Sequence, residues 1–377
     1  MTSQNPTILH VIDTTGPGGA ETVFLDIAEK MRLADYETLA LIKGPGWVQS
    51  QLEAREIPFH VLKPYGFLSI PYYRDLIRLI RDKRVRLIQA HLLGSALTSS
   101  IIRFFTGIPV IATLHGQVDV NSKERFIALK RLILKFGLSK VVAVSGELAD
   151  YLADRKLFTR SKIEVIHNGV DINKYGAAAR LPLKEQLGLD AEALLIGSIG
   201  NIRPAKDYQT LVRAAKEVVE RNPHAHFLIA GHAKEPLKGE LDRLILHLGL
   251  DNHVHFIGFT NDTAGFLKPL SLFVLSSSAE GFSIATLEAM AAKIPVIATR
   301  CGGPEEILRD GVDGVLVPAR NSHELAEAIF RALENNNISE MVSNAYERVT
   351  ADFSLNALLI KYQRLAESIL DHSHQKI

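Results

Sequence analysis

Leu272–Pro318 reads L-F-V-L-S-S-S-A-E-G-F-S-I-A-T-L-E-A-M-A-A-K-I-P-V-I-A-T-R-C-G-G-P-E-E-I-L-R-D-G-V-D-G-V-L-V-P. The apolar run ending in Ser276-Ser277-Ser278 is expected to be a strand that delivers the chain to the rim of a parallel sheet. Ser283 to Ala292 has the Ala, Leu, Met and Glu content of a helix. Between them lies a Gly-Phe-Ser turn flanked by two acids, Glu280 and Glu288. The backbone N–H groups of Gly281, Phe282 and Ser283 fall at the start of that helix, at the positive end of its dipole, a place suited to phosphate oxygens. A carboxylate beside a phosphate repels it, so the expected partners of Glu280 and Glu288 are hydroxyls, with Glu288 set to accept from a vicinal diol such as a ribose. Phosphate and hydroxyls at one strand end describe a sugar nucleotide. A surface acid and a helix-capping acid is the plainer reading of the same pair.

The rest of the chain repeats the strand-then-helix pattern. Apolar runs T-I-L-H-V-I-D, T-L-A-L-I-K, R-L-I-Q-A-H, P-V-I-A-T-L-H, K-V-V-A-V-S and I-E-V-I-H-N form a first series. L-L-I-G-S-I-G, H-F-L-I-A-G, H-V-H-F-I-G, L-F-V-L-S-S, P-V-I-A-T-R and G-V-L-V-P form a second, with helices expected at Tyr208–Arg221 and Pro236–Leu248 among those between them. Such alternation predicts parallel sheets wrapped by helices. Periodicity fades across Asp171 to Pro182, which reads as a linker between two doubly wound units, and the chain is expected to be helical after Asn335. Ligands of such sheets bind at the carboxyl ends of the strands.

The 377 residues, 47% hydrophobic and 23% charged, suffice for two well-packed cores. One cysteine, Cys301, excludes an intramolecular disulfide and reads as a small buried apolar group. The start M-T-S-Q-N-P-T lacks the regions of a signal peptide, and no apolar stretch approaches the ~20 residues of a spanning helix, so a cytoplasmic location is expected. A net charge of +1 argues against nucleic acid as a partner. The charge is uneven, however: from His60 to Lys140 there are 14 Lys and Arg against 4 Asp and Glu. Lys123, Arg125, Lys130, Arg131, Lys135 and Lys140 are interleaved with Phe126, Leu129, Leu132, Ile133, Leu134 and Phe136. That is a basic amphipathic helix, able to lie on an anionic lipid surface or to present a solvated basic face.

Several residues at strand ends have chemistry to offer. The loop G-P-G-G-A-E, Gly16 to Glu21, lets the backbone turn tightly and approach a ligand. It fails as a nicotinamide fingerprint, because Glu21 replaces the third glycine and the second strand ends in Lys43 instead of an acid. His115 closes P-V-I-A-T-L-H and is placed to hydrogen-bond a sugar hydroxyl; His91 closes R-L-I-Q-A-H in the same way. Ser145 and Asn168 also end strands, and Asn168 reads as structural. Arg203 and Lys206, in G-S-I-G-N-I-R-P-A-K-D, put two cations where a diphosphate would be neutralised. No Asp-x-Asp and no metal-ligand spacing occurs, so no metal and no cofactor are expected.

The two glutamates separated by seven residues resemble the signature of glycosyltransferase family 4, and the resemblance extends over essentially the whole chain. It implies a GT-B architecture, α/β, with two Rossmann-like doubly wound parallel-sheet domains facing across a cleft. It implies transfer of a sugar from a nucleotide diphosphate sugar donor, with retention at the anomeric carbon, to a hydroxyl of a glycan or lipid-linked acceptor. The implied domains are 1–176 for the acceptor, 177–353 for the donor, and a C-terminal helix, 354–377, crossing back to the first domain. Carried over by position, Gly18 and Gly19 border the donor diphosphate and the acceptor, and Lys206 matches the family lysine. Arg203 stands two positions beyond the usual arginine, whose place Asn201 takes. His115 matches a strand-end histidine, but Gly116 follows where relatives often have an acid. The implied catalytic set is Glu280, Lys206, Arg203 and His115; the donor set adds Gly18, Gly19, Gly281, Phe282, Ser283 and Glu288. Relatives place the nucleobase near Val254 to Phe259, where Phe256 is equally readable as core. Bacterial cell-surface polysaccharide assembly is the commonest setting of such relatives. A sugar-nucleotide-binding regulator without turnover, or a GT-B epimerase or phosphorylase, is the alternative.

Overall fold

In the computed structural model the described residues are 5–34, 36–63, 69–116, 127–334 and 338–374. The chain divides into two compact units, Met1–Asn168 with Leu355–Ile377, and Gly169–Ser354. Asp171 to Pro182, expected as a linker, contains a short helix and falls in the second unit.

The first unit is a seven-stranded sheet: β1 (Thr7–Ile12), β2 (Glu37–Ile42), β3 (Phe59–Val61), β4 (Val85–His91), β5 (Val110–Leu114), β6 (Lys140–Ala143) and β7 (Ile163–Val165). Its order is β3-β2-β1-β4-β5-β6-β7 and every pairing is parallel. β1, β4 and β5 are buried along almost their whole length, as strands covered by helices on both faces must be. The helices are α1 (Gly19–Leu33), α2 (Trp47–Ala54), α3 (Ile70–Asp82), α4 (Leu92–Thr106), α5 (Ile127–Gly137) and α6 (Gly146–Asp154). Ile12, Phe24, Leu25, Ile42 and Leu52 knit β1, β2, α1 and α2 into one core.

The second unit opens with α7 (Ile172–Ala177) and α8 (Leu183–Leu187). Its six strands are β8 (Leu194–Ile199), β9 (Ala225–Ala230), β10 (Val254–Gly258), β11 (Leu272–Leu275), β12 (Val296–Arg300) and β13 (Val315–Pro318), again all parallel, in the order β10-β9-β8-β11-β12-β13. Between them run α9 (Tyr208–Arg221), α10 (Leu237–His247), α11 (Thr263–Leu267), α12 (Ile284–Ala291) and α13 (Gly303–Ile307); α14 (Ser322–Glu334) and α15 (Ile338–Asp352) follow. α9 shows why the sequence folds this way: Tyr208, Leu211, Val212, Ala215 and Val218 recur at helical spacing and are buried, while Arg213, Lys216 and Glu220 lie off that stripe. α16 (Leu355–His374) then returns to the first unit, where it packs on α1 and β4 and the buried Tyr362 hydroxyl lies 3.0 Å from Thr113 Oγ1.

Both sheets reverse direction at one place, between β1 and β4 and between β8 and β11. At such a reversal the neighbouring connections leave on opposite faces and open a crevice beyond the strand ends. Two crevices, one per sheet, are therefore where side-chain chemistry has to be sought.

Candidate functional site

At the β8/β11 reversal the chain brings a cation and an anion together. β8 runs into Gly200 and then a 3-10 turn, Pro204–Lys206; β11 runs into Ser276, Ser277 and Glu280. Ser278 N donates to Ala205 O at 2.7 Å and Ser276 Oγ to Lys206 O at 2.9 Å, which binds the two loops side by side. Lys206 Nζ then reaches Glu280 Oε1 at 2.6 Å, and Ser277 Oγ donates to the same oxygen at 2.6 Å. The Lys206 stem crosses Gly200 so closely that a Cβ there would meet Cε at 2.6 Å. Both side chains are largely buried, 20% and 15% exposed, so each charge depends on the other. Burial works against the Lys206 ammonium, but the Glu280 carboxylate outweighs it and the lysine pKa lies above its ordinary value.

Glu280 is fixed from its backbone as well: its N–H donates to Cys301 O and its C=O accepts from Gly303 N, both at 3.0 Å. Gly303 is obligatory for that approach, since a Cβ would lie 2.6 Å from Phe282 Cα. Cys301, half-buried beside the pair, keeps its proton, with burial pushing the thiol up to about 12. Gly281 is half-buried; the Phe282 ring is buried against Phe353 at 5.6 Å between centroids, so that side chain anchors the turn. Ser283 caps α12, its Oγ accepting from Thr286 N at 3.3 Å. Arg203 stands exposed at the start of the 3-10 turn and makes no side-chain ion pair among the described residues.

Glu288 is one of a run of buried residues on α12, a helix apolar nearly all round. An acid there needs donors, and it has them: Tyr175 OH donates to Oε1 at 2.6 Å and Thr263 Oγ1 to the same atom at 3.3 Å. Tyr175 on α7 and Thr263 on α11 had no distinguishing signal in the sequence. The plainer reading of Glu288 as a surface acid does not fit a residue only 8% exposed.

At the carboxyl ends of β9 and β10 His232 and Phe259 are exposed and stacked, ring centroids 4.5 Å apart and 4° from parallel. Asn201 Oδ1 accepts from His232 N at 2.9 Å, tying this end to the Lys206 loop. Phe256 packs against the core with the Lys238 ammonium 4.2 Å above its ring.

Among the described residues the β1/β4 reversal carries no such ion pair. Its ends hold His91 Nδ1 3.4 Å from His115 Nε2, the rings stacked at 5.6 Å. Burial holds His115 down at about 4 and His91 well below the usual histidine range, so both imidazoles are neutral near pH 7. Gly18 is extended at the N-cap of α1, with the Glu21 carboxylate packed against its Cα, and Gly19 is exposed. Ser145 caps α6 through Leu148 N, and Asn168 is buried. Lys123, Arg125 and Phe126 of the basic segment lie outside the described residues.

Among the described residues no group of His, Cys, Asp and Glu is arranged to hold a metal ion, and no helix is long and apolar enough to cross a membrane. Two family models divide the chain: "Glycosyltransferase Family 4" over residues 17–174 and "Glycosyl transferases group 1" over residues 180–349. The structure is similar to Anabaena HepE in complex with UDP and glucose, with a TM-score of 0.85, 26% identity, and coverage of 97% of this chain and 100% of that one. In sequence it is 29% identical to the Rhizobium meliloti lipopolysaccharide core biosynthesis glycosyltransferase LpsE, over 93% of this chain and 96% of LpsE. It is 25% identical to an Escherichia coli UDP-Gal:alpha-D-GlcNAc-diphosphoundecaprenol alpha-1,3-galactosyltransferase, over 74% of this chain and 75% of that protein. With both halves matched in order and each half a doubly wound parallel sheet, the chain belongs to glycosyltransferase family 4, of GT-B fold.

Proposed function

We propose that the chain transfers a sugar, with retention and without a metal ion, from a nucleotide diphosphate sugar to a hydroxyl of a glycan or lipid-linked acceptor. The setting is cell-surface polysaccharide assembly at the cytoplasmic face of an anionic membrane. The observation that carries the reading is the Lys206–Glu280 pair at the β8/β11 reversal.

As the bond from the anomeric carbon to the donor phosphate breaks, negative charge grows on the diphosphate. Lys206, Arg203 and the N–H groups of Gly281 to Ser283 offset that charge, a contribution of about 3 kcal/mol per well-placed donor. An ammonium has three protons and Glu280 takes one, so two remain for phosphate oxygens. Glu280 Oε1 is occupied by Lys206 and Ser277, and Oε2 accepts from hydroxyls of the transferred sugar. Glu288, oriented by Tyr175 and Thr263, accepts from the ribose diol. The base is placed toward Phe259 and His232, an exposed aromatic surface of the kind on which bases stack. In the first unit His115, neutral, hydrogen-bonds a hydroxyl of the acceptor, and the Gly18-Gly19 turn lets the backbone approach it. The acceptor oxygen bonds to the anomeric carbon on the face the diphosphate leaves, and its proton passes to the departing phosphate oxygen.

HepE is described with UDP and UDP-glucose, and the E. coli relative by a UDP-galactose donor. UDP-glucose and UDP-galactose are therefore the first donors to test, with EDTA present and the anomeric configuration of the product read by NMR. Retained configuration with undiminished turnover in EDTA is expected. Tight UDP binding with neither donor hydrolysis nor transfer would instead identify a binding protein that has lost catalysis; products formed only with inorganic phosphate would identify a phosphorylase.

A further inference from the structure

His91 has no part in the transfer chemistry proposed above, and it is held more rigidly than packing requires. Its backbone is fixed from both sides, in register with Ile12 of β1 and with Thr113 of β5. It is also the N-cap of α4, and the chain enters that helix through Leu92 at φ 70°, left-handed backbone that a leucine occupies only where its surroundings impose it. Ser95 Oγ, one turn on, donates back to His91 O. The ring is fully buried, with Phe24 of α1 at 85° to it, centroids 5.4 Å apart, and His115 stacked at 5.6 Å. Strand, helix start and ring packing together aim one nitrogen, Nδ1, at His115 Nε2, 3.4 Å away.

Both imidazoles are neutral, so each has one N–H and one lone pair, and the contact between them holds a single proton. Which ring carries it follows from the other nitrogen of His91. That atom, Nε2, is buried and has no partner. A proton there would make it a donor without an acceptor, the rarer orphan in folded proteins, in a residue that caps the positive end of α4. With the proton on Nδ1 the orphan is only a lone pair, and His91 donates to His115. His115 Nε2 then accepts, and the one proton of that ring resides on Nδ1. Burial alone does not create such a contact: His10, fully buried on β1, has no partner at either ring nitrogen.

We infer that His91 is a positioning residue, whose Nδ1–H holds His115 as the Nδ1–H tautomer, so that His115 donates to an oxygen of the acceptor and does not take a proton from it. This rests on the acceptor role proposed above for His115 and sets the hydrogen-bond polarity of that subsite. It favours acceptors that turn a lone pair toward His115, from a hydroxyl, ring or glycosidic oxygen. It also removes His115 as a base for the attacking hydroxyl, which leaves the departing phosphate oxygen to take that proton.

The full chain, labelled with 15N-histidine, is read by two-bond 1H–15N correlation spectra near neutral pH, the His115 signals being those lost in His115→Ala. Wild type should show His115 with a protonated Nδ1 and a bare Nε2. His91→Phe keeps a ring and removes the donor, and there His115 should no longer hold that single pattern. His91→Asn sets an amide N–H near the place of Nδ1 and should restore it. With UDP-glucose as donor and octyl glucoside as the probe acceptor, His91→Phe should raise the acceptor KM about fivefold, the worth of one neutral hydrogen bond, with UDP affinity unchanged, and His91→Asn should recover most of that loss. A protonated Nε2 at His115 in wild type, or the wild-type pattern kept intact in His91→Phe, overturns the inference. The acceptor role of His115 fails separately: in that case His115→Ala leaves the octyl glucoside KM unchanged while the wild-type tautomer is the one stated.

Discussion

The two reversal points share one topology and opposite chemistry. At β1/β4 the strand ends present neutral imidazoles, His91 and His115, a glycine loop, and the Asp13 carboxyl, whose pKa burial raises; at β8/β11 they present a buried ion pair, Lys206 and Glu280. Strand order decides where a crevice opens and says nothing of what enters it. Charge decides that. A neutral imidazole donates one hydrogen bond and accepts one, as a sugar hydroxyl does, whereas an ammonium with two protons to spare answers a diphosphate. In the function proposed above, acceptor chemistry falls to the first unit and leaving-group chemistry to the second.

The largest effect that would break this assignment is expected at Lys206. Lys206→Ala removes charge stabilisation that matters most as the leaving group departs and should lower kcat by about a thousandfold, with a much smaller change in donor KM. Steady-state kinetics on both substrates decide it, and equal losses in kcat and binding would reduce Lys206 to simple ground-state recognition. Because Glu280 would be left buried without its partner, the variant should also lose about 3 kcal/mol of stability in urea titrations. Glu280→Gln with Lys206→Met removes both charges together and should recover most of that stability but none of the activity.

Next in size is the donor end of α12. Glu288→Ala should weaken UDP binding about a hundredfold by calorimetry while leaving affinity for the 2′,3′-dideoxyribose analogue almost unchanged. Tyr175→Phe, which keeps the acid but removes the 2.6 Å bond that orients it, should cost about tenfold. An unaltered UDP affinity in Glu288→Ala would take the ribose away from Glu288.

In the first unit His115→Ala should raise the acceptor KM about tenfold and leave UDP affinity as it is. A change in the UDP term instead would erase the division of labour between the two reversal points.

How far the sequence anticipated this follows from what each residue contacts. Strands such as Leu194–Ile199 and Val296–Arg300 are legible because a buried parallel strand must be an apolar run, and α9 because its buried stripe keeps helical period. β3 was missed: three residues at a sheet edge, two of them exposed, carry no such signature. The acids and Lys206 were legible as types at strand ends. Their pairing was not, since Lys206 and Glu280 are 74 positions apart and only the β8–β11 adjacency joins them. Tyr175 lay hidden for a related reason: D-I-N-K-Y reads as a spacer until the buried acid it serves, 113 positions on, is seen to need a donor.

The smallest effect tests the neutrality on which the comparison turns. Behind His91 lies His10, fully buried with neither ring nitrogen partnered, and burial holds it at about 3. Each of these histidines has a folded pKa below its unfolded value near 6.5, so the unfolded chain takes up protons first as pH falls. Stability should therefore be flat above about pH 7 and decline from about 6.5 down to the folded values near 4 and 3, by about 1 kcal/mol per histidine already at pH 6. His10→Leu removes one of them without touching either strand end. Urea titrations should show the variant recovering about 1 kcal/mol of the pH 6 loss relative to pH 8. Parallel pH profiles for wild type and variant would mean that His10 protonates freely in the fold, and the desolvation argued for the histidine behind His91 would have to be abandoned.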